Sequence, residues 1–179
     1  MSKYAKEVNK LLNAIKRGHI SKFDKLFDLT ANHLLGVARY YLENKSYCED
    51  VVADVFEKIF IYIYAYDENQ DGYNWICKIT ENVAHDYNKR FFQEVSLFDA
   101  SPERDIKQEL RIDELYLDVS LAVDKLDPES REMIYKRFYF DQSYEAIGRD
   151  FNLTKSAVKK RIDKILIKLK KILKTGNFD

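Results

Sequence analysis

Proline and glycine are scarce, at two and five residues in 179. All-β folds need frequent Gly and Pro turns, so the expected fold class is all-α, with long helices. Cysteine is equally sparse. Cys48 and Cys77 stand alone and far apart, and match neither a disulfide framework nor a zinc spacing. They read as small, reduced residues of a cytoplasmic protein. The five glycines are scattered, so no glycine-rich phosphate loop is present. Long apolar runs are missing too. The longest, residues 59–66, falls far short of the roughly 20 residues a membrane span needs. Met1–Glu7 lacks the apolar segment of a secretory signal. No membrane insertion is expected. His19, His33 and His85 are the only histidines, and none sits in an HExxH or comparable pair. With no constellation that meets the geometry of catalysis, the expectation is no enzyme, no catalytic residue, no cofactor, no metal and no small-molecule substrate.

A net charge is also absent, since 30 Lys and Arg balance 30 Asp and Glu. The balance hides a segregation. Residues 1–93 hold 13 bases and 13 acids, and residues 94–118 hold eight acids against three bases. Residues 154–179 hold nine bases against two acids. The expected organisation is a helical domain over 1–93, an acidic linker over 94–110 and a second helical domain over 111–179.

Apolar spacing places four helices in the first domain. One carries Val8, Leu11, Leu12 and Ile15 and ends at Gly18. Ser21 is expected to cap the second. Ser46 and Glu49 fit a capping box for the third, whose inward stripe is read as Val51, Val52, Val55, Phe56, Ile59, Phe60 and Ile63. Residues 67–72 form a polar break with an Asp-Gly turn signal. The fourth helix is expected from about Asn74 to Phe92, with Trp75, Ile76, Ile79, Val83 and Tyr87 inward.

In the second domain, Leu115, Val119, Ala122, Val123 and Leu126 make one stripe. Asp127-Pro128 is a helix start: Asp can cap, and Pro costs no hydrogen bond at the first position. The helix it opens is read through Arg137 and Phe138. Asp141-Gln142 breaks the pattern. Ser143 opens a short helix to about Phe151, Asn152 suits a left-handed turn, and Thr154 caps a long helix from Lys155. Its inward residues are read as Val158, Ile162, Ile165, Leu166, Leu169 and Ile172.

Residues 143–161, SYEAIGRDFNLTKSAVKKR, therefore form a helix-turn-helix. Ile147 and Val158 sit where the helices cross, Gly148 allows close approach and Leu153 plugs the corner. Thr154, Lys155, Ser156, Lys159, Lys160 and Arg161 occupy the start of the second helix, where such helices meet base edges and phosphates. The acidic 94–118 stretch suggests a salt-sensitive pairing with this basic helix in the free protein.

The chain resembles a bacterial RNA polymerase sigma factor of the extracytoplasmic-function (ECF) group. The stretch AVDKLDPESREMIYKRFYFDQSYEAIGRDFNLTKSAVKKRIDKILIKLKKIL looks like sigma region 4, whose helix-turn-helix reads the minus-35 element. SYCEDVVADVFEKIF looks like the region 2 helix that docks on the polymerase clamp, and NWICKITENVAHDYNKR like the helix that reads the minus-10 element. The resemblance implies polymerase binding by Asp50, Val51, Asp54, Val55, Glu57 and Lys58. It implies minus-10 binding by Tyr73, Asn82, Asp86, Lys89 and Arg90. It further implies three partners: RNA polymerase core, promoter DNA and an anti-sigma factor. The other reading of the same motif is a stand-alone helix-turn-helix regulator that works without polymerase.

Overall fold

The computed structural model describes residues 2–97 and 114–175. Eight α-helices and no strand occur among the described residues. The chain divides into two compact units, Met1–Leu110 and Arg111–Asp179. Most of the expected acidic linker, with the charge pairing proposed for it, lies outside the described residues.

The first unit holds α1 (Lys3–Lys16), α2 (Lys22–Tyr41), α3 (Cys48–Tyr62) and α4 (Gly72–Leu97). Their apolar stripes meet in one core built on Val8, Leu12, Ile15, Leu26, Leu34, Val52, Ile59 and Ile76. Ser2 caps α1, its hydroxyl accepting from the Ala5 amide at 3.0 Å. Gly18, at φ +93°, turns the chain out of α1 in a conformation that disfavours any side chain.

Three expectations about caps and faces are corrected. Ser21 precedes α2 but makes no capping bond, because its own backbone is helical. The amides of Lys22 and Phe23 are instead taken by the carbonyls of His19 and Ile20, at 3.0 and 2.8 Å. Ser46 does not cap α3 either. Asn44 Oδ1 accepts from both the amide and the hydroxyl of Ser46, at 3.0 and 2.8 Å, and opens a 3₁₀ turn over Lys45–Tyr47. Phe60 is 53% exposed, because Ile59 and Ile63, four apart, already fill the inward stripe.

The break at 67–72 ends in a helix start rather than a turn. Asp71 Oδ1 accepts from the Tyr73 and Asn74 amides at 3.0 and 3.2 Å, capping α4. Asn9 of α1 clamps this corner: its Oδ1 accepts from the Gly72 amide at 2.7 Å and its Nδ2 donates to the Gln70 carbonyl at 3.1 Å. A Cβ on Gly72 would lie 2.5 Å from Leu12 Cδ1 and 2.9 Å from the Tyr66 hydroxyl. At its other end α4 continues to Leu97, past the expected end at Phe92.

The second unit holds α5 (Glu114–Asp124), α6 (Pro128–Ile134), α7 (Tyr144–Asp150) and α8 (Lys155–Thr175). Its core joins Ala122, Val123, Leu126, Met133, Ile134, Tyr135 and Ile147 to Val158, Ile162, Ile165 and Leu169 of α8. The cap expected at Asp127 is present, accepting from the Ser130 amide at 2.9 Å. Two differences from the sequence reading stand out. The helix after Asp127 passes into a π-helical turn over Tyr135–Tyr139, which buries Tyr135 and leaves Phe138 exposed. Leu166 is 41% exposed rather than inward, because it is one position round from Ile165. No helix among the described residues is long and apolar enough to cross a membrane.

Trp75 is the only tryptophan and stacks obliquely on Tyr66, 5.1 Å between ring centroids, beside the Gly72 corner. Gly72→Ala is expected to cost the first unit about 1 kcal/mol through overpacking, since the atoms it would meet are the ends of the Leu12, Asn9 and Tyr66 side chains. Urea unfolding followed by Trp fluorescence reads it directly, and an unshifted midpoint would contradict the tight corner.

Candidate nucleic-acid interface

The turn between α7 and α8 is set by local chemistry at each position. Ser143 Oγ accepts from the Ala146 amide at 3.1 Å and starts α7. Asn152 takes φ +53°, a left-handed value that Asn tolerates. The Leu153 amide then donates to the Gly148 carbonyl at 2.8 Å. A Cβ on Gly148 would lie 2.5 Å from the Leu153 carbonyl oxygen, so the residue is glycine because backbone passes over it. The close approach expected between the two helices is real but secondary, with Val158 Cγ2 at 3.6 Å from that Cβ, and the turn itself is the nearer neighbour. Thr154 Oγ1 accepts from the Ala157 amide at 3.3 Å and caps α8. Lys136 ties the motif to the preceding helix, with Asp150 at 2.8 Å and Glu132 at 3.4 Å. Burial works against the Lys136 charge, yet the Asp150 hydrogen bond and the two carboxylates hold its pKa above the ordinary value.

These anchors decide which side of α8 is available. Val158, Ile162, Ile165 and Leu169 point into the core. Thr154, Lys155, Ser156, Lys159, Lys160 and Arg161 are all exposed, so the six expected DNA contacts share the accessible side of one helix start. They are not equivalent. At about 100° per residue, Ser156 and Lys160 project away from the buried stripe, whereas Lys155 and Arg161 fall on opposite flanks. Lys155 Nζ pairs with Glu145 of α7 at 2.6 Å, and Arg161 Nη1 pairs with Glu129 of α6. The Lys155 hydrogen bond holds the Glu145 carboxyl below its usual range. Lys159 and Lys160 have no ion pair among the described residues.

In the first unit the expected site residues separate into surface and core. Asp50, Asp54, Glu57 and Lys58 reach the surface of α3. Val51 and Val55 have no exposed surface, because they form the α3 face packed in the bundle. Their expected contact with polymerase is corrected to a core role. Tyr73 is likewise buried, edge-on to Tyr4 with ring centroids 5.0 Å apart, and has no face to offer a base. Asn82, Lys89 and Arg90 are exposed and Asp86 is half-buried on α4. Lys89 lies 3.5 Å from Asp86, so part of its charge is met within the helix.

Tyr87 links the two surface sets, a role the sequence reading did not give it. Its hydroxyl donates to Asp54 Oδ2 at 3.0 Å, and the Arg90 guanidinium lies 5.3 Å from its ring centroid. Burial, then the Asp54 hydrogen bond, drives the phenol pKa up. Burial and the Asp54 charge push Asp50 up as well. The 3.6-residue pattern marked Tyr87 as inward, but the sequence offered no signal for which carboxylate, 33 residues away, its hydroxyl would meet.

Comparison with known proteins decides the second unit. Residues 122–171 match the family "Sigma-70, region 4". The match falls within the second unit. The matched span takes in all of α7 and α8 as far as residue 171. No curated protein matches the chain. Solved structures are similar at low identity. One is "Structure of CnrH in complex with the cytosolic domain of CnrY", at 22% identity and TM-score 0.49, covering 93% of this chain and 97% of that one. Another is the sigma factor RpoE in complex with the anti-sigma factor NepR from Bartonella quintana, at 19% identity and TM-score 0.47, covering 85% and 96%. A chain of the RsbN-BldN complex matches at 16% identity and TM-score 0.38, covering 90% and 98%.

Within this unit, Gly148→Ala is expected to destabilise by about 1–3 kcal/mol, because a turn carbonyl cannot swing aside as a side chain can. The circular-dichroism melt should show the loss, and an unchanged melt would contradict the close passage of the Leu153 carbonyl over Gly148.

Proposed function

We propose that the protein is a promoter-specificity subunit of bacterial RNA polymerase, a sigma factor of the ECF kind. The observation that carries the proposal is the region 4 helix-turn-helix, with Ser156, Lys159 and Lys160 directed away from its core. In this reading α8 enters the major groove of the minus-35 element, and its cations bind phosphates that flank the bases it reads. The first unit acts as region 2. Asp50, Asp54, Glu57 and Lys58 of α3 meet the polymerase core, and Asn82, Asp86, Lys89 and Arg90 of α4 meet the minus-10 element. The Tyr87–Asp54 bond then has a function: it fixes the register of the polymerase-facing helix against the DNA-facing helix.

Catalysis plays no part in this role. Opening the minus-10 element costs a few kcal/mol per unstacked base, and polymerase binding together with base capture supplies it. An anti-sigma factor that holds the free protein inactive belongs to the same proposal, as does action inside the cell, where polymerase is found. A stand-alone regulator would use the same α8 without polymerase.

Run-off transcription with bacterial core polymerase separates the two. A promoter-dependent transcript that requires the protein is expected. Core binding and transcript both absent, with DNA binding retained, would establish the stand-alone regulator instead. Lys159→Ala with Lys160→Ala should weaken minus-35 binding and reduce its salt slope by up to about one unit per lost phosphate contact. Minus-10 binding should persist, and equal loss at both elements would contradict the division of labour.

A further inference from the structure

Two acids inside the second unit occupy the flank cations of α8. Glu145 of α7 holds Lys155 at 2.6 Å, and Glu129 of α6 holds Arg161. A third contact, Asp127 to Lys168 at 3.8 Å, repeats the pattern further along the helix. The Glu129–Arg161 pair lines a cleft of about 280 Å³ between α6 and α8, with Ser130, Met133, Lys164 and Ile165 as its other walls. All four paired side chains of Glu129, Arg161, Glu145 and Lys155 are about half exposed or more. Ion pairs so exposed contribute little to stability, so they exchange partners readily. A carboxylate and a phosphate present similar acceptor oxygens to a guanidinium or ammonium group.

We propose that Glu129 and Glu145 are specificity-determining residues: intramolecular stand-ins for DNA phosphate that hold Arg161 and Lys155 until a duplex displaces them. The proposal rests on the reading of α8 as the DNA-binding helix. Its physical content is a competition. Each cation must leave a carboxylate to reach a phosphate, so the sequence-independent part of DNA binding is smaller than the count of bases in α8 suggests. Lys159 and Lys160, unpaired among the described residues, keep their full phosphate attraction. Discrimination then falls more heavily on base contacts from the outward centre of the helix, at Ser156 and Lys160. The flank acids thus trade non-specific grip for selectivity.

The alternative for Arg161 is a strut that only ties α6 to α8. The alternative for both acids is general repulsion of DNA by nearby negative charge. A double-mutant cycle on the full-length chain resolves these. The probe is a mixed-sequence duplex of about 30 base pairs at low salt, which measures the phosphate term alone. Glu129→Gln and Glu145→Gln are each expected to tighten binding about two- to fivefold, the range that an exposed ion pair spans. The gain from Glu129→Gln should vanish in an Arg161→Ala background, and that from Glu145→Gln in a Lys155→Ala background. Asp163→Asn serves as the charge control on the same helix, and its effect should not depend on Arg161. Thermal melts of each variant confirm that the unit remains folded.

A gain that survives removal of the cation would show general repulsion and overturn the proposal. No gain from either substitution would also overturn it and leave the pairs as struts. These outcomes do not depend on polymerase, so they stand apart from the transcription assay that tests the sigma reading.

Discussion

The buried stripe of α8 is the constraint from which the interface follows. Val158, Ile162, Ile165 and Leu169 give up their contact with water to the core of the second unit, and that burial fixes the rotation of the helix about its axis. Once the rotation is fixed, the fate of each cation is decided by its angle from the stripe. Those opposite it reach solvent freely. Those beside it lie against α6 and α7, where acids wait. The same sequence run, KSAVKKR, therefore contains two kinds of basic residue, paired and unpaired among the described residues, although its composition suggests one. Gly148 completes the device from the other side. By letting the Leu153 carbonyl pass at a distance no side chain permits, it sets where α8 begins.

The first unit shows a parallel arrangement with the signs changed. Its core buries the apolar face of α3, and carboxylates remain on the outer side. Asp54 is engaged by Tyr87 of α4 and Asp50 sits near enough to feel its charge. A hydroxyl donor on a half-buried carboxylate restricts its geometry without neutralising it. In both units a helix that carries exposed charge makes polar contact with its neighbours, through Tyr87–Asp54 in the first and through Glu145–Lys155 and Glu129–Arg161 in the second. The zero net charge of the chain is thus uninformative about binding, since acids and bases are distributed by helix face.

Punctuation was the legible part of the sequence. Asp127-Pro128, Ser143 and Thr154 act through bonds to amides three positions away and Asn152 through its own left-handed backbone, and all four behave in the structure as their chemistry requires. Ser21 and Ser46 show where this local logic fails. Each had the right residue type, but a backbone turn or a neighbouring Asn44 offered a competing bond that the pattern could not weigh. Among the described residues periodicity located the stripes and misplaced Phe60 and Leu166, each one position round from a residue that fills the core. What could not be read was pairing at a distance. Glu129 with Arg161 and Tyr87 with Asp54 are separated by 32 and 33 residues, and only the packed helices bring them together. The burial of Val51, Val55 and Tyr73 was hidden for a related reason: a motif match names positions without saying which way they face.

The proposed sigma role requires the outward centre of α8 to read the upstream promoter element while the protein is part of polymerase. A photo-crosslinking residue at Ser156 of the full-length chain tests it most directly, in complexes with core polymerase on a promoter that yields a transcript. Crosslinks confined to the minus-35 element are expected. Crosslinks absent from that element in transcribing complexes, or spread evenly along the duplex, would contradict it.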